Sequence, residues 1–215
     1  MTGSKTSAGP EALAFGAFMV FMAISQALGL GVATGIRTFL PPLLIGGLAR
    51  ADVGVDFDGT DWVFLESVWF LGILLGLNVS VFVRERSRPD PSSPPAALPE
   101  GVVGALHVVL GALFGAASLA ERGEPAGVGL VAGAAAGAIA YVVIRSVIAG
   151  ARRRADAEVA GFIELTAAAV ALALAALVVF VEPVGGVALV AIIVLWISRR
   201  RKAGRKYEGL RVLRD

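Results

Sequence analysis

The chain has 215 residues, of which 57% are hydrophobic and 17% charged, with a mean hydropathy of +0.80 and a formal net charge of +2. Soluble domains average about 45–50% apolar and about 25% charged residues, so the excess apolar surface has to face lipid rather than water. Cysteine is absent, which excludes disulfides, thiol catalysis and thiolate metal sites.

Residues 1–10 are polar with one cation, Lys5, and no small-residue cleavage site closes the apolar run that follows. An uncleaved first span is expected there, not a signal peptide. A helix needs about 20 apolar residues to cross the roughly 30 Å hydrocarbon layer. Runs bounded by charge occupy 12–36, 62–83, 101–120, 126–150, 157–181 and, shorter, 183–198. Basic residues after the last run can snorkel and extend its reach. The expected fold class is therefore all-α: one polytopic transmembrane helix bundle of about six spans filling 1–215.

Between the first two runs, residues 38–49 (TFLPPLLIGGLA) are apolar but too short to span. Pro41 and Pro42 interrupt any helix continuing from the first span. The segment reads as a re-entrant half-helix or as an interfacial elbow; irregular backbone at membrane depth requires cover by protein or a wet cavity. Residues 87–100 (SRPDPSSPPAALPE) read as an extended, Pro-rich cytoplasmic linker.

Charge alternates along the connections: acidic at 51–61, basic at 84–100, acidic at 121–125, basic at Arg152–Arg154, then Glu182, then a strongly basic tail over 199–215. With six spans, this places both termini in the cytoplasm of an inner-membrane protein. The tail could suggest nucleic acid, but beside a membrane exit it reads as a topology signal that contacts anionic lipid; no nucleic-acid partner is expected.

The two halves share short matches. GIRTF around Arg37 resembles VIRSV around Arg145, and FLES around Glu66 resembles FIEL around Glu164, in the same order. Three spans per half would make this a 3+3 inverted repeat, the plan of many secondary transporters.

Ionisable and polar groups inside spans are costly unless paired or hydrated, so they are the candidate path or buried-pair residues. Arg37 and Arg145 can reach the interfaces by snorkelling, and Glu66 shares the outer interface with Trp62 and Trp69. Glu164 lies deeper, with Arg145 as its expected partner. Asn78, Gln26, Ser80 and His107 fit interhelical hydrogen bonding, and a lone histidine without metal-spaced companions builds no zinc site. With the Pro41–Pro42 elbow, Arg37, Glu66, Asn78, His107, Arg145 and Glu164 would line a transporter's path. Glycines at four-residue spacing (Gly31 and Gly35; Gly111 and Gly115; Gly129, Gly133 and Gly137) suit close helix packing or a homo-oligomer face.

No nucleophile elbow, phosphate loop, dinucleotide fingerprint or metalloprotease motif occurs, so neither a cofactor nor a catalytic residue is assigned; His107 and Glu164 would be the only acid–base groups of an intramembrane enzyme. The expected function is a small transporter or channel-like permease, with a non-transporting scaffold or assembly factor as the alternative.

The segments GLGVATGIRTFLPPLLIGGLAR and RKYEGLRVLRD resemble a bacterial membrane family, domain of unknown function 4126. The matching positions are Gly31, Gly35, Arg37, Leu40, Pro41, Gly209, Leu210 and Arg211. Members of that family have an acidic, lysine-bearing motif with proline after the second span; here the region reads NVSVFVRERSRPD, with Pro89 and Asp90 as its counterparts. The resemblance implies a multi-spanning bacterial membrane protein and brings no activity.

Overall fold

A computed structural model describes residues 9–86, 100–152 and 157–211. Among these are α1 (Pro10–Ile36), α2 (Leu40–Arg50), a 3-10 helix (Val63–Glu66), α3 (Val68–Arg86), α4 (Glu100–Ala120), α5 (Ala126–Arg152), α6 (Ala157–Phe180) and α7 (Pro183–Arg211), and no strand. Five of the helices, α1 and α4 to α7, are long and apolar enough to cross a membrane, whereas the apolar part of α3, Val68–Val83, is shorter. The chain is thus a helical bundle of the kind built for lipid. Exposed large side chains such as Phe15, Phe18, Ile73, Val131, Phe162 and Val187 lie on helix faces that only a membrane or another apolar surface can cover.

Two boundaries differ from expectation. The second apolar run does not begin its helix at Trp62, because residues 63–66 form the 3-10 turn and the α-helix starts at Val68. The final run continues as helix to Arg211, so the basic tail begins as an extension of α7. The Pro-rich linker lies almost wholly outside the described residues.

The Pro-Pro segment is helical rather than irregular. Arg37 leaves α1 in extended conformation (φ −139°, ψ 129°), and the chain reverses over Arg37–Phe39. Pro41 and Pro42 then fall in the first turn of α2, where the missing N–H groups have no intrahelical partner to lose and the fixed φ suits a helix start. Proline therefore ends one helix here by beginning the next.

Residue pairs set the helix directions. On α1, Gly31 packs on Gly133 and Ala136 of α5, and Gly35 on Gly137 and Ala140, so α1 and α5 run parallel. Gly111 meets Gly133 and Gly115 meets Gly129, so α4 runs against α5. Gln26 reaches Val178 while Arg37 reaches Glu164, so α6 runs against α1. Ser25 binds Gly186, and Val32 shares a core cluster with Ile192, so α7 follows α1. Phe70 packs on Phe114 and Leu74 clusters with Leu110, so α3 opposes α4. The odd-numbered helices share one direction and the even-numbered ones the other.

This corrects two expectations. Because α2 and the segment after it return the chain to the end where α1 began, Pro10 and Arg211 leave from opposite ends of the bundle rather than the same one. An inverted repeat would set α1 against α5, and the two run parallel; the inversion read from the Arg and Glu matches is not seen.

Small residues explain how closely the centre packs. Any Cβ added at Gly111, Gly115, Gly129 or Gly133 would overlap the backbone of the facing helix, and one at Gly137 would stand 2.9 Å from the His107 carbonyl. Such approach maximises van der Waals contact where no hydrophobic effect operates between helices. These glycine rows face one another inside the chain, in the close helix packing their spacing suits.

Candidate functional site

Polar side chains gather at the two ends of the bundle. At one end lie Arg37, Thr38, His107, Tyr141, Arg145 and Glu164; since Arg199 also reaches the Ser146 carbonyl there, this is the basic end. The Arg37 guanidinium forms an ion pair with the Glu164 carboxylate and also donates to the Glu164 carbonyl at 2.8 Å. Roughly three quarters of each side chain is removed from solvent. Arg37 takes this position because α1 ends at Ile36: it is the first residue of the reversal, and a cation there meets the negative end of the α1 dipole. Arg145 is the partner expected for Glu164; the structure supplies Arg37, from a helix distant in sequence, as an ion-pair partner.

Beside this pair, the Thr38 hydroxyl lies 3.1 Å from Nε2 of His107, while Nδ1 lies 2.7 Å from the Val103 carbonyl. A carbonyl only accepts, so Nδ1 carries the proton and Nε2 accepts from Thr38. The imidazole sits against Tyr141, ring centroids 4.5 Å apart, and the Tyr141 hydroxyl accepts from Arg145 at 3.3 Å. His107 thus joins the α1–α2 reversal to α4 and α5.

At the opposite, acidic end, Arg122 donates to Gln26 and to Glu182, each at 2.8 Å, and the Ser25 hydroxyl donates to the Glu182 carbonyl at 2.9 Å. Glu66 also lies at this end, far from the other candidates, so the structure does not bring it together with Arg37 or Glu164. Asn78 sits half-buried on α3. Pro41 and Pro42 are buried at the start of α2, next to the basic-end cluster.

The residues between α2 and α3 cap the acidic end. Val55, Phe57 and Leu65 are fully buried among Leu30 and Ala33 of α1, Phe114 and Ala117 of α4, and Ala175 and Val178 of α6. The Phe57 ring packs 6.2 Å from that of Phe114. Two carboxylates hold the backbone around it: Glu121 accepts from the Asp56 N–H at 3.0 Å and Glu66 from the Phe57 N–H at 3.4 Å. Burial raises both of these carboxyl groups above their ordinary range; the two N–H bonds pull downward but are outweighed. Asp52, Asp56 and Asp58 crowd the outer surface of the cap with carboxylate oxygens within 4.8 Å of one another.

Thr38, Arg122, Tyr141 and Glu121 were missed as members of these clusters. Arg122 carried a signal, being the one cation between two acids in the connection 121–125. The others are ordinary polar residues until helix packing sets them together.

No protein-family model, curated protein or solved structure matches this chain.

Proposed function

We propose that the protein is a small membrane transporter or channel-like permease whose path follows α2. One observation carries this reading. The chain turns back at Arg37–Phe39 and re-enters the bundle as a helix of only 11 residues, and the non-helical segment after it packs beside α4 and α6. From the level of His107 to that of Glu121, α2 and this segment cover about 21 Å along α4. Broken helices at membrane depth are tolerated where protein or a watered cavity covers them, and they are the usual builders of transporter sites. Pro41 and Pro42 start α2 beside Arg37, Thr38 and His107, so its entrance is polar on one side and apolar beyond.

The positive-inside rule orients the bundle with its basic end in the cytoplasm. The N-terminus then lies outside and the C-terminal extension of α7 inside, where its cations meet anionic lipid.

A scaffold or assembly factor is the second reading, and a specific observation favours it: both ion pairs tie helix ends together, while the centre between them is closed by glycine-to-glycine packing. Single cysteines at Leu43, Leu44 and Ile45 in the protein reconstituted into liposomes separate the two. Modification of at least one by a water-soluble thiol reagent supports a path along α2. Protection of all three removes the path and leaves the scaffold.

A further inference from the structure

Two carboxyl groups, the buried Glu66 of the cap and the half-buried Glu121 at the end of α4, have no role in the proposed path, yet they hold the segment that closes the acidic end. Glu66 is 8% exposed. It faces the carboxyl of Asp58, within hydrogen-bonding reach, and that of Asp56. Glu121 faces Asp56, Glu182 and the cation Arg122, which is already engaged by Glu182 and Gln26. Its Oε2 is buried with no hydrogen-bond partner among the described residues. A buried, unpartnered anionic oxygen is expensive, whereas the protonated carboxyl is not. Asp52, beside Asp56 and Asp58, adds a further negative charge at the surface.

We propose that residues 51–67 form an acid-latched lid: protonated, Glu66 and Glu121 hold the segment down with Phe57 inserted into the bundle, and loss of their protons releases it. A hydrogen-bonded carboxyl–carboxylate pair lets the buried Glu66 lie beside the exposed Asp58, whereas as two anions they repel. The same holds more weakly for Glu121 with Asp56 and Glu182, since Arg122 offsets part of the repulsion. Once released, the lid exposes its carboxylates to water and withdraws Phe57 from Phe114.

The direction of the pH effect follows from linkage. Both carboxyl groups bind protons more tightly in the docked lid than in a solvated one. Docking is therefore fully supported below the ordinary value of 4.5 and loses that support as pH rises through the raised values. The latch belongs to the lid and is read on the lid alone, so it stands or falls separately from transport.

Hydrogen exchange of the full-length protein in lipid nanodiscs tests it, with rates corrected for the intrinsic pH dependence of exchange. Protection of the Asp56 and Phe57 amides should fall by about tenfold or more between pH 4.5 and about pH 8 as the lid opens. Protection at Phe114, inside α4, should stay constant and so exclude global unfolding. In the Glu66→Gln, Glu121→Gln double variant the lid amides should stay protected across the range. Lid protection that is flat with pH in the natural sequence, or that falls on acidification, overturns the latch. So does a folded double variant that keeps the full pH dependence.

Discussion

Arg37 and Glu164 form an ion pair across 127 residues of sequence, joining the end of α1 to the second turn of α6. The pair fastens the reversal that launches α2, so its loss should loosen the re-entrant element as well as the helix contact. Removing one charge takes from the other this ion-pair partner in a partly desolvated place, while removing both does not. A double-mutant cycle with Arg37→Gln and Glu164→Gln, followed by thermal unfolding in detergent, should give a coupling on the order of 1–3 kcal/mol. Additive single effects would show that the pair is incidental to stability.

Opposite placement of the two helix termini can be read directly, because the chain has no native cysteine. Single cysteines at Gly9 and Asp58 should react with an impermeant reagent from one face of sealed vesicles, and one at Arg201 from the other. Reaction of Gly9→Cys and Arg201→Cys from the same face would mean that α2 does not return the chain across the bundle.

The α4–α5 contact should tolerate no methyl group. Gly133→Ala puts a Cβ into the Gly111 backbone, which cannot move aside as a flexible side chain would; overpacking of this kind costs roughly 1–3 kcal/mol. Gly76→Ala, on α3 with open space around it, removes only a helix-weakening residue and should leave stability unchanged or raise it by roughly 0.5–1 kcal/mol. Detergent melting of the two variants side by side measures the contrast, and equal behaviour would refute the close approach.

Arg122 holds α1 and the start of α7 to the α4–α5 turn through Gln26 and Glu182. Arg122→Met keeps the apolar stem and deletes both charge-assisted hydrogen bonds, each worth roughly 1.5–3 kcal/mol where well formed. Since Arg122 and Glu182 are both partly solvated, the loss should fall near the lower figure. Adding Glu182→Gln should recover part of it in a detergent melt; no recovery would assign the whole effect to Gln26.

The helices were legible in the sequence because the bilayer asks for a simple pattern. About 20 apolar residues between charges mark a span, and α1, α4, α5 and α6 start and stop within a few residues of the runs that announce them. Arg37, Arg145, Glu164 and His107 could be picked out singly, since any polar group in such a run is costly. Their grouping could not. Arg145 is the partner that its place in the chain suggests for Glu164; that Arg37 also reaches Glu164 follows from the direction of α1. That direction depends on α2, whose 11 residues are too few to register as a crossing and whose prolines read as a break rather than a beginning. Residues 51–67 show the same limit. Their aspartates mark a watered connection, yet Val55, Phe57 and Leu65 become a buried cap only because α1, α4 and α6 leave an apolar hollow of matching depth at the acidic end. Local pattern settles which segments avoid water; which of them face one another, and with which charges, is decided by packing that no single segment contains.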